Sequence, residues 1–469
     1  MKNLKAISRG LLIGFLIVIS SCDFGDTNVD PSRLDDVPVS QLLPVAQAQT
    51  ARNLGSIGAR ISGVVVQHFE GISAQPLAYN SYILDENSLD DYWRGGLYAG
   101  AMKDCAILIE KGKSQDIPYY VGIGKVLMAI NLNIATTFWG DVPYAEAFQA
   151  QGNLKPTYDG QEAIYGSIQA LLDEALDAFN ADPGEVNPGA DDLIFGGQRS
   201  RWIATARALK ARYYMHLSKR DPDASGKALE ILKNGTISAN SNQPSFPFGP
   251  IENEANPIAF FGLARPNQLG MNPFFLELLN ASNDPRKALF TKVDRGTQAI
   301  YVKGDNSLYW GRFESPMPLI SFSELLFIRA EANLRLNILT LAQTNLDNAI
   351  RANMEQVGVS EAHITTYLTN LPELSTLTDQ EARLKMIIEE KYKSMFCQGT
   401  LEAWVDYRRT GYPELTPAPD ASESFNPSKI VPQRYLYPIS ERNTNRENMT
   451  TAMEQQGGHL LDQTLWAFQ

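Results

Sequence analysis

Histidine and cysteine are too few and too scattered in this chain to build a metal centre or a disulfide framework. The four histidines, His68, His216, His363 and His459, include no pair at metal-ligand spacing. Cys22, Cys105 and Cys397 match neither a zinc pattern nor a disulfide scaffold. Cys105 and Cys397 stand in apolar, helical-looking surroundings, which fits buried free thiols; whether they pair with each other is left open. Positive charge is also in deficit. Forty-one Lys and Arg face 53 Asp and Glu, a net charge of −12. So acidic a chain repels phosphate backbones, which excludes nucleic acid as a partner. Catalytic signatures are missing: there is no G-x-S-x-G elbow and no H-E-x-x-H helix. Gly122-Ile123-Gly124-Lys125 hints at a phosphate loop, but Tyr119 and Val126 stand where a Walker motif needs Gly and Ser or Thr. Leu127 spoils a dinucleotide fingerprint in the same way, so this stretch reads as helix interior. The segment from Asp85 to Asp91 is oxygen-rich but lacks the glycine and closing glutamate of an EF-hand, and reads as a solvated loop. No metal, cofactor or catalytic group is therefore expected. A distant carboxylate pair that hydrolyses glycosides stays open, since 53 acids can supply one anywhere.

What is present begins at the N-terminus. Lys2, Lys5 and Arg9 precede an apolar run from Leu11 to Ile19, followed by Ser20, Ser21 and Cys22. The run is shorter than the ~20 residues that span a bilayer, and the pattern is that of a secretory signal peptide. Ile19-Ser20-Ser21-Cys22 resembles a bacterial lipobox, in which the cysteine becomes the lipidated first residue. Each buried CH₂ of an acyl chain contributes ~0.8 kcal/mol, and more than one chain anchors stably. Residues 1–21 are thus expected to be removed, leaving a charge of −15 once those three basic residues are gone. Residues 22–37 read as a lipidated tether.

The rest shows helical periodicity. Apolar residues recur at helix spacing over 118–137, 161–179, 201–219, 226–233, 321–336, 341–354 and 380–397. Two groups, about 118–233 and 321–397, have the look of tetratricopeptide helix pairs. Ala330, Ala332, Ala342 and Ala349 would let paired helices approach closely; a generic helical bundle fits the periodicity as well. Length alone suggests about three domains. Between the helices lie long stretches rich in Pro, Gly and Asn, at 181–200, 237–275, 292–318 and 411–434. Loops this long in a compact protein are usually functional or disordered, and their aromatic content argues against disorder.

Three blocks carry a family resemblance: "FWGDVPYAEAF" at 138–148, "EEKYKSMFCQGTLEAWVDYRRTGYP" at 389–413 and "VPQRYLYPISERNTNREN" at 431–448. With the lipobox and "SFSELLFIRAEA", in this order, they resemble the SusD/RagB family of outer-membrane nutrient-binding lipoproteins of Bacteroidetes, closest to its SusD-like branch. The resemblance covers essentially the whole mature chain. It implies a mainly α fold of four tetratricopeptide-like helix pairs, with a large irregular loop-rich half and little β, as one domain over 38–469. It also implies lipidation at Cys22, exposure on the cell surface, and a SusC-like TonB-dependent barrel transporter as partner. The implied ligand is a glycan or, in some members, a peptide, and no catalysis. A tetratricopeptide scaffold that binds only proteins, and a secreted glycoside hydrolase, are the competing readings.

The shared motifs read physically as structure. Gly140 can take positive φ and end a helix after Trp139. Pro143 stops it resuming, and Asp141 can bond the turn amides before Tyr144. Arg408 and Arg409 suit a helix C-terminus or a bidentate pair with a buried carboxylate. Asn443, Asn445 and Asn448 fit backbone-satisfying roles in the closing turns. Ligand chemistry is expected in loops held by a rigid scaffold. Sugars present apolar CH faces and polar rims, so aromatic faces beside amides and carboxylates suit them. Three stretches have that composition: 79–98, 301–313 and the more apolar 256–268. The candidate ligand residues are Tyr79, Tyr82, Trp93, Tyr309 and Trp310, with Tyr79, Tyr82 and Trp310 expected to expose their rings. Trp93 and Tyr98 equally fit an anchoring role for the first helices.

Overall fold

The computed structural model describes residues 37–149 and 152–469. The signal segment 1–21, Cys22 and the tether as far as residue 36 lie outside the described residues. From Val39 to the C-terminus the chain forms one compact unit.

Helices dominate it. Pro118–Trp139, opened by a proline at its first turn, packs along Gln161–Asn180; Arg199–His216 follows, paired with Ala224–Leu232. The stack then crosses the chain to Phe322–Arg335, which pairs with Leu339–Val357 and also packs against Gln380–Ser394. These are the periodic stretches of the sequence, with ends shifted by a few residues. Among the described residues Pro118–Trp139 is the one helix long and apolar enough to cross a membrane, yet all of it from Tyr120 onward is buried in the stack. A helix apolar on every face belongs in a core. Gly122 and Gly124 lie inside it, where a Cβ would strike Phe179 and Ile109, so both glycines serve close helix packing. Ala330, Ala342 and Ala349 are fully buried where the second pair meets, with Phe327, Leu346, Ile350 and Ile387 around them.

Thr400–Thr410 departs from simple pairing: it packs chiefly against Ile57–Val65 from the start of the chain. The helices Val39–Gly55 and Ile57–Val65 are not among the stretches that read as helical from the sequence; the first buries polar Gln47, Thr50 and Asn53 alongside its apolar residues. Cys105 and Cys397 are buried free thiols. Asp85 turns back on its own loop, accepting from the Asn87 amide and the Ser88 hydroxyl.

Strand is scarce. A small antiparallel sheet runs in the order Phe69–Gly71, Leu269–Met271, Thr297–Ala299, Lys292–Asp294. Ser245–Phe246 and Met317–Pro318 make a second, two-stranded ladder.

The family blocks close the molecule at one corner. Gly140 sits at φ 82°, where a Cβ would collide with the Gln456 side chain. Trp139 donates its Nε1–H to the Leu436 carbonyl at 2.8 Å, and Arg434 donates to the Trp139 carbonyl. Asp141 does not bond its own turn. Its Oδ1 accepts from the Gln161 amide at 2.8 Å, satisfying an orphan donor at the start of the next helix. The amides of Tyr144 and Ala145 go to Asp159 instead, and the Pro143 carbonyl accepts from Tyr98. Asn445 and Asn448 donate to the Pro156 carbonyl. Arg408 stacks on Trp404 at 3.6 Å and on Phe468 at 4.2 Å, and donates to the carbonyls of Thr137 and Gln433. Burial without a carboxylate partner draws its pKa down to about 9. Arg409 makes the bidentate pair, to Glu331, with Asp406 beside it.

Candidate functional site

The small sheet decides which loops meet. Its register sets Glu70 beside Gly270, and Gly270 beside Ala299. The chain leaving Phe69–Gly71, the segment before Leu269, and the segment after Ala299 therefore converge on one edge. Gly71 permits the first turn, because a Cβ there would lie 1.9 Å from the Pro76 carbonyl oxygen. Asn80 brackets Gly71, accepting from its amide at 2.8 Å and donating to its carbonyl at 2.9 Å. The Ile72 amide and the Ser73 hydroxyl then tie this turn to the Gln268 and Asn267 carbonyls.

The third of the candidate stretches proves to be largely a helix, Pro257–Ala264. Asn256 caps it, accepting from the Ile258 amide, and proline opens it. Asn256 also donates to the Ser315 carbonyl, which fixes the helix to the 301–315 segment. Ile258 and Ala259 are buried, while Phe260 is 42% exposed and Phe261 half-buried. Tyr301 lies flat on this helix at Gly262, where a Cβ would sit 2.4 Å from its side chain. The Tyr301 and Phe313 rings are nearly parallel, with centroids 6.5 Å apart. From the other side the Arg60 guanidinium covers Phe261 at 4.2 Å. Beside Arg60 and Phe261 opens a cavity of about 180 Å³, lined also by Gln75, Tyr79, Arg265 and Gln268, with apolar residues beneath; Tyr301 lines a separate small hollow that shares Phe261 and Arg265 with it. The Phe261 ring, the Gln75 and Gln268 amides and the Arg60 and Arg265 guanidiniums thus line one cavity, with Phe260 on the same helix as Phe261 and Tyr301 packed against that helix, the mixture that sugar faces and hydroxyl rims call for.

The rings expected to be exposed are not. Tyr79, Tyr82 and Trp310 are 4%, 3% and 1% exposed. Tyr79 is on the buried face of the Ala74–Asn80 helix, and burial pushes its pKa up to about 12. Tyr82 turns inward to accept from the Ala418 amide. Trp310 fills the core beneath the Tyr309–Gly311 turn. Trp93 is also buried, edge-on to Trp139 at 4.9 Å, with Nε1 near Glu441. Tyr309 is half-buried, with Arg312 over its ring at 4.5 Å. None of the four buried residues offers a free ring face; Tyr79 alone of the five reaches the cavity, from its wall. The platform rings Phe260, Phe261 and Tyr301 were missed as individual residues. Larger hollows exist, one of about 440 Å³ between Ser282 and Tyr367. Of its two aromatic rings, Tyr367 is buried and donates to Glu390, and His363 is held by Ser360.

Stacked helix pairs that carry a loop-built platform on one edge define a repeat scaffold for binding. Residues 31–438 match the model of a SusD-like family described as starch-binding and associating with the outer membrane, and the chain belongs to that family. Among solved structures it is similar to a chitin-binding protein, with a TM-score of 0.77 at 22% identity over 92% of this chain and 100% of that one. A SusD-like protein of Bacteroidetes gives 0.76 at 21% identity, over 92% and 100%. A SusD/RagB family protein of Bacteroides thetaiotaomicron gives 0.73 at 21%, over 92% and 99%. No curated protein matches.

Proposed function

We propose that this chain is a non-catalytic, cell-surface lipoprotein that captures oligosaccharides on the Phe260–Phe261–Tyr301 platform and passes them to a SusC-like TonB-dependent barrel. The observation that carries the ligand reading is the convergence of half-exposed rings, amides and arginines on one edge of a rigid helical frame. Membership of a family described as starch-binding supports a glycan over a peptide. Each stacked ring contributes ~0.5–1.5 kcal/mol, taking aromatic pairs as the guide. A few such contacts give a Kd of roughly micromolar to millimolar, and the fast release that goes with weak binding suits delivery to a transporter.

The test is binding of the mature chain to an array of plant, host and microbial oligosaccharides, followed by titration of the best ligand. Phe261→Ala is expected to weaken that ligand about tenfold, which is ~1.4 kcal/mol, with Tm unchanged. Peptide capture with no glycan bound would overturn the reading.

Anchoring has its own test. Cys22→Ser is expected to move the protein from the membrane fraction to the soluble fraction, because no acyl chain is then attached. Unchanged membrane retention would remove the lipobox assignment. Isolation from native membranes in mild detergent is expected to bring the barrel along.

A further inference from the structure

We propose that the cavity between Arg60 and Arg265 receives a carboxylate-bearing sugar, a uronic acid, so that the preferred ligand of the platform is an acidic glycan. The inference rests on the glycan-binding reading above and names the class of ligand.

Two arginines line this cavity and no acidic residue does, on a chain whose net charge is −12. The way arginines are held elsewhere shows what is unusual. Arg212, Arg286 and Arg409 are each buried against a carboxylate, from Glu324, Asp284 and Glu331. Arg408 and Arg434 lack a carboxylate but donate to backbone carbonyls, whereas Arg60 has neither kind of partner. Among the described residues no hydrogen bond or ion pair reaches its guanidinium, which is held only by stacking on Phe261. That contact leaves its N–H donors unused, and their fork matches a planar carboxylate in bidentate fashion. Arg265 is exposed across the cavity, with one donor turned to its neighbour's carbonyl at 3.3 Å.

The second unmet group is Tyr79. Its hydroxyl is buried and has no hydrogen-bond partner among the described residues. Gln75 and Gln268 add neutral amides for hydroxyl groups. At about 180 Å³ the cavity lies below the ~300–1,000 Å³ of drug-sized sites. It suits one ring, with the rest of the chain lying over Phe260 and Tyr301. Burial draws the pKa of Arg60 down to about 10. It stays a cation at neutral pH, and a bound anion would offset the burial that depresses it.

The experiment compares tetragalacturonate, alginate tetramer and chondroitin sulfate tetramer with maltotetraose, chitotetraose and methyl-esterified tetragalacturonate, by calorimetry on the mature chain. At least one uronate is expected to bind ten or more times tighter than its methyl ester or than any neutral probe, and to weaken as salt rises. Arg60→Gln should lower uronate affinity about tenfold, to the level of the methyl ester, and Arg60→Lys should restore part of it. Arg265→Gln alters an exposed side chain, carries no folding risk, and should lower uronate affinity several-fold. Equal binding of acid and ester, unaffected by either variant, would overturn the anionic assignment and leave the glycan reading standing. Binding of the chondroitin sulfate tetramer that survives methyl-esterification of its uronates would overturn the carboxylate. Binding of no glycan at all would overturn both readings.

Discussion

Arg409→Ala lowers the stability of the mature chain by about 3–5 kcal/mol, read as a fall in Tm of about 3–6 °C for a chain of this length. The guanidinium is buried, paired twice with Glu331 and with Asp406, and Asp406 in turn holds Lys391 at 2.8 Å. These groups join Phe322–Arg335, Gln380–Ser394 and Thr400–Thr410, so the network fastens the second helix pair to the family's arginine-rich block. Deleting the cation leaves Glu331 buried and facing only Arg335, which is the costly case; replacing the pair by apolar groups is the mild one. Arg409→Met with Glu331→Met should therefore recover much of the loss, because Asp406 keeps Lys391. A Tm within about 1 °C of wild type for Arg409→Ala would show that the pair is not what ties these helices together. The same pair sets an acid limit. Burial raises the pKa of Glu331, but the charges of Arg409 and Arg335 outweigh it and hold it at about 2, against 4.5 unperturbed. A folded-state pKa below the unfolded one means stability that is fully present above about pH 4.5 and is lost as pH falls towards 2. Acid titration of Tm checks the sign: Arg409→Ala should flatten the fall between those values.

The scaffold was legible because its helices are long and periodic, and because the family blocks at 138–148, 389–413 and 431–448 fold into one buried corner. The platform was legible only as a set of loops. Aromatic rings in polar loops were expected to face out, but loop composition does not say which way a ring turns. Tyr79 turns inward because it is on the buried face of the short Ala74–Asn80 helix, and Tyr82 because it meets the Ala418 amide. Phe260 and Phe261 face outward for a reason the sequence did contain. Asn256-Pro257 is a cap and first-turn signature, and it opens a helix of only eight residues, Pro257–Ala264. One turn of so short a helix cannot bury Ile258, Ala259, Phe260 and Phe261 together, since consecutive residues point to different sides. Two of the four had to be left at the surface. Arg60 was out of reach of such reasoning: it lies about 200 residues from Phe261 in the sequence, and only the folded chain brings it over that ring.

Trp310→Ala is expected to cost about 3–5 kcal/mol, the usual range for removing a buried tryptophan, and to leave glycan affinity within about threefold when measured well below Tm. Its ring is 1% exposed and meets Tyr309 edge-on at 4.8 Å. The Tyr309–Gly311 turn packs between Pro257–Ala264 and Lys287–Phe290, beneath the platform rather than in it. Its indole N–H has no hydrogen-bond partner among the described residues, so the ring's contribution comes from packing volume. Trp310→Phe should therefore retain more stability than Trp310→Ala, since it keeps a ring in the cavity. Phe261→Ala is the opposite case, with affinity lost and Tm kept. The two variants together separate frame from platform: one axis moves in each, and a different one. A Trp310→Ala protein with wild-type Tm and lost affinity would reverse the assignment, making the tryptophan a ligand contact reached by an opening of the turn. The same reversal in Phe261→Ala, with Tm lost and affinity kept, would place the platform elsewhere on the molecule.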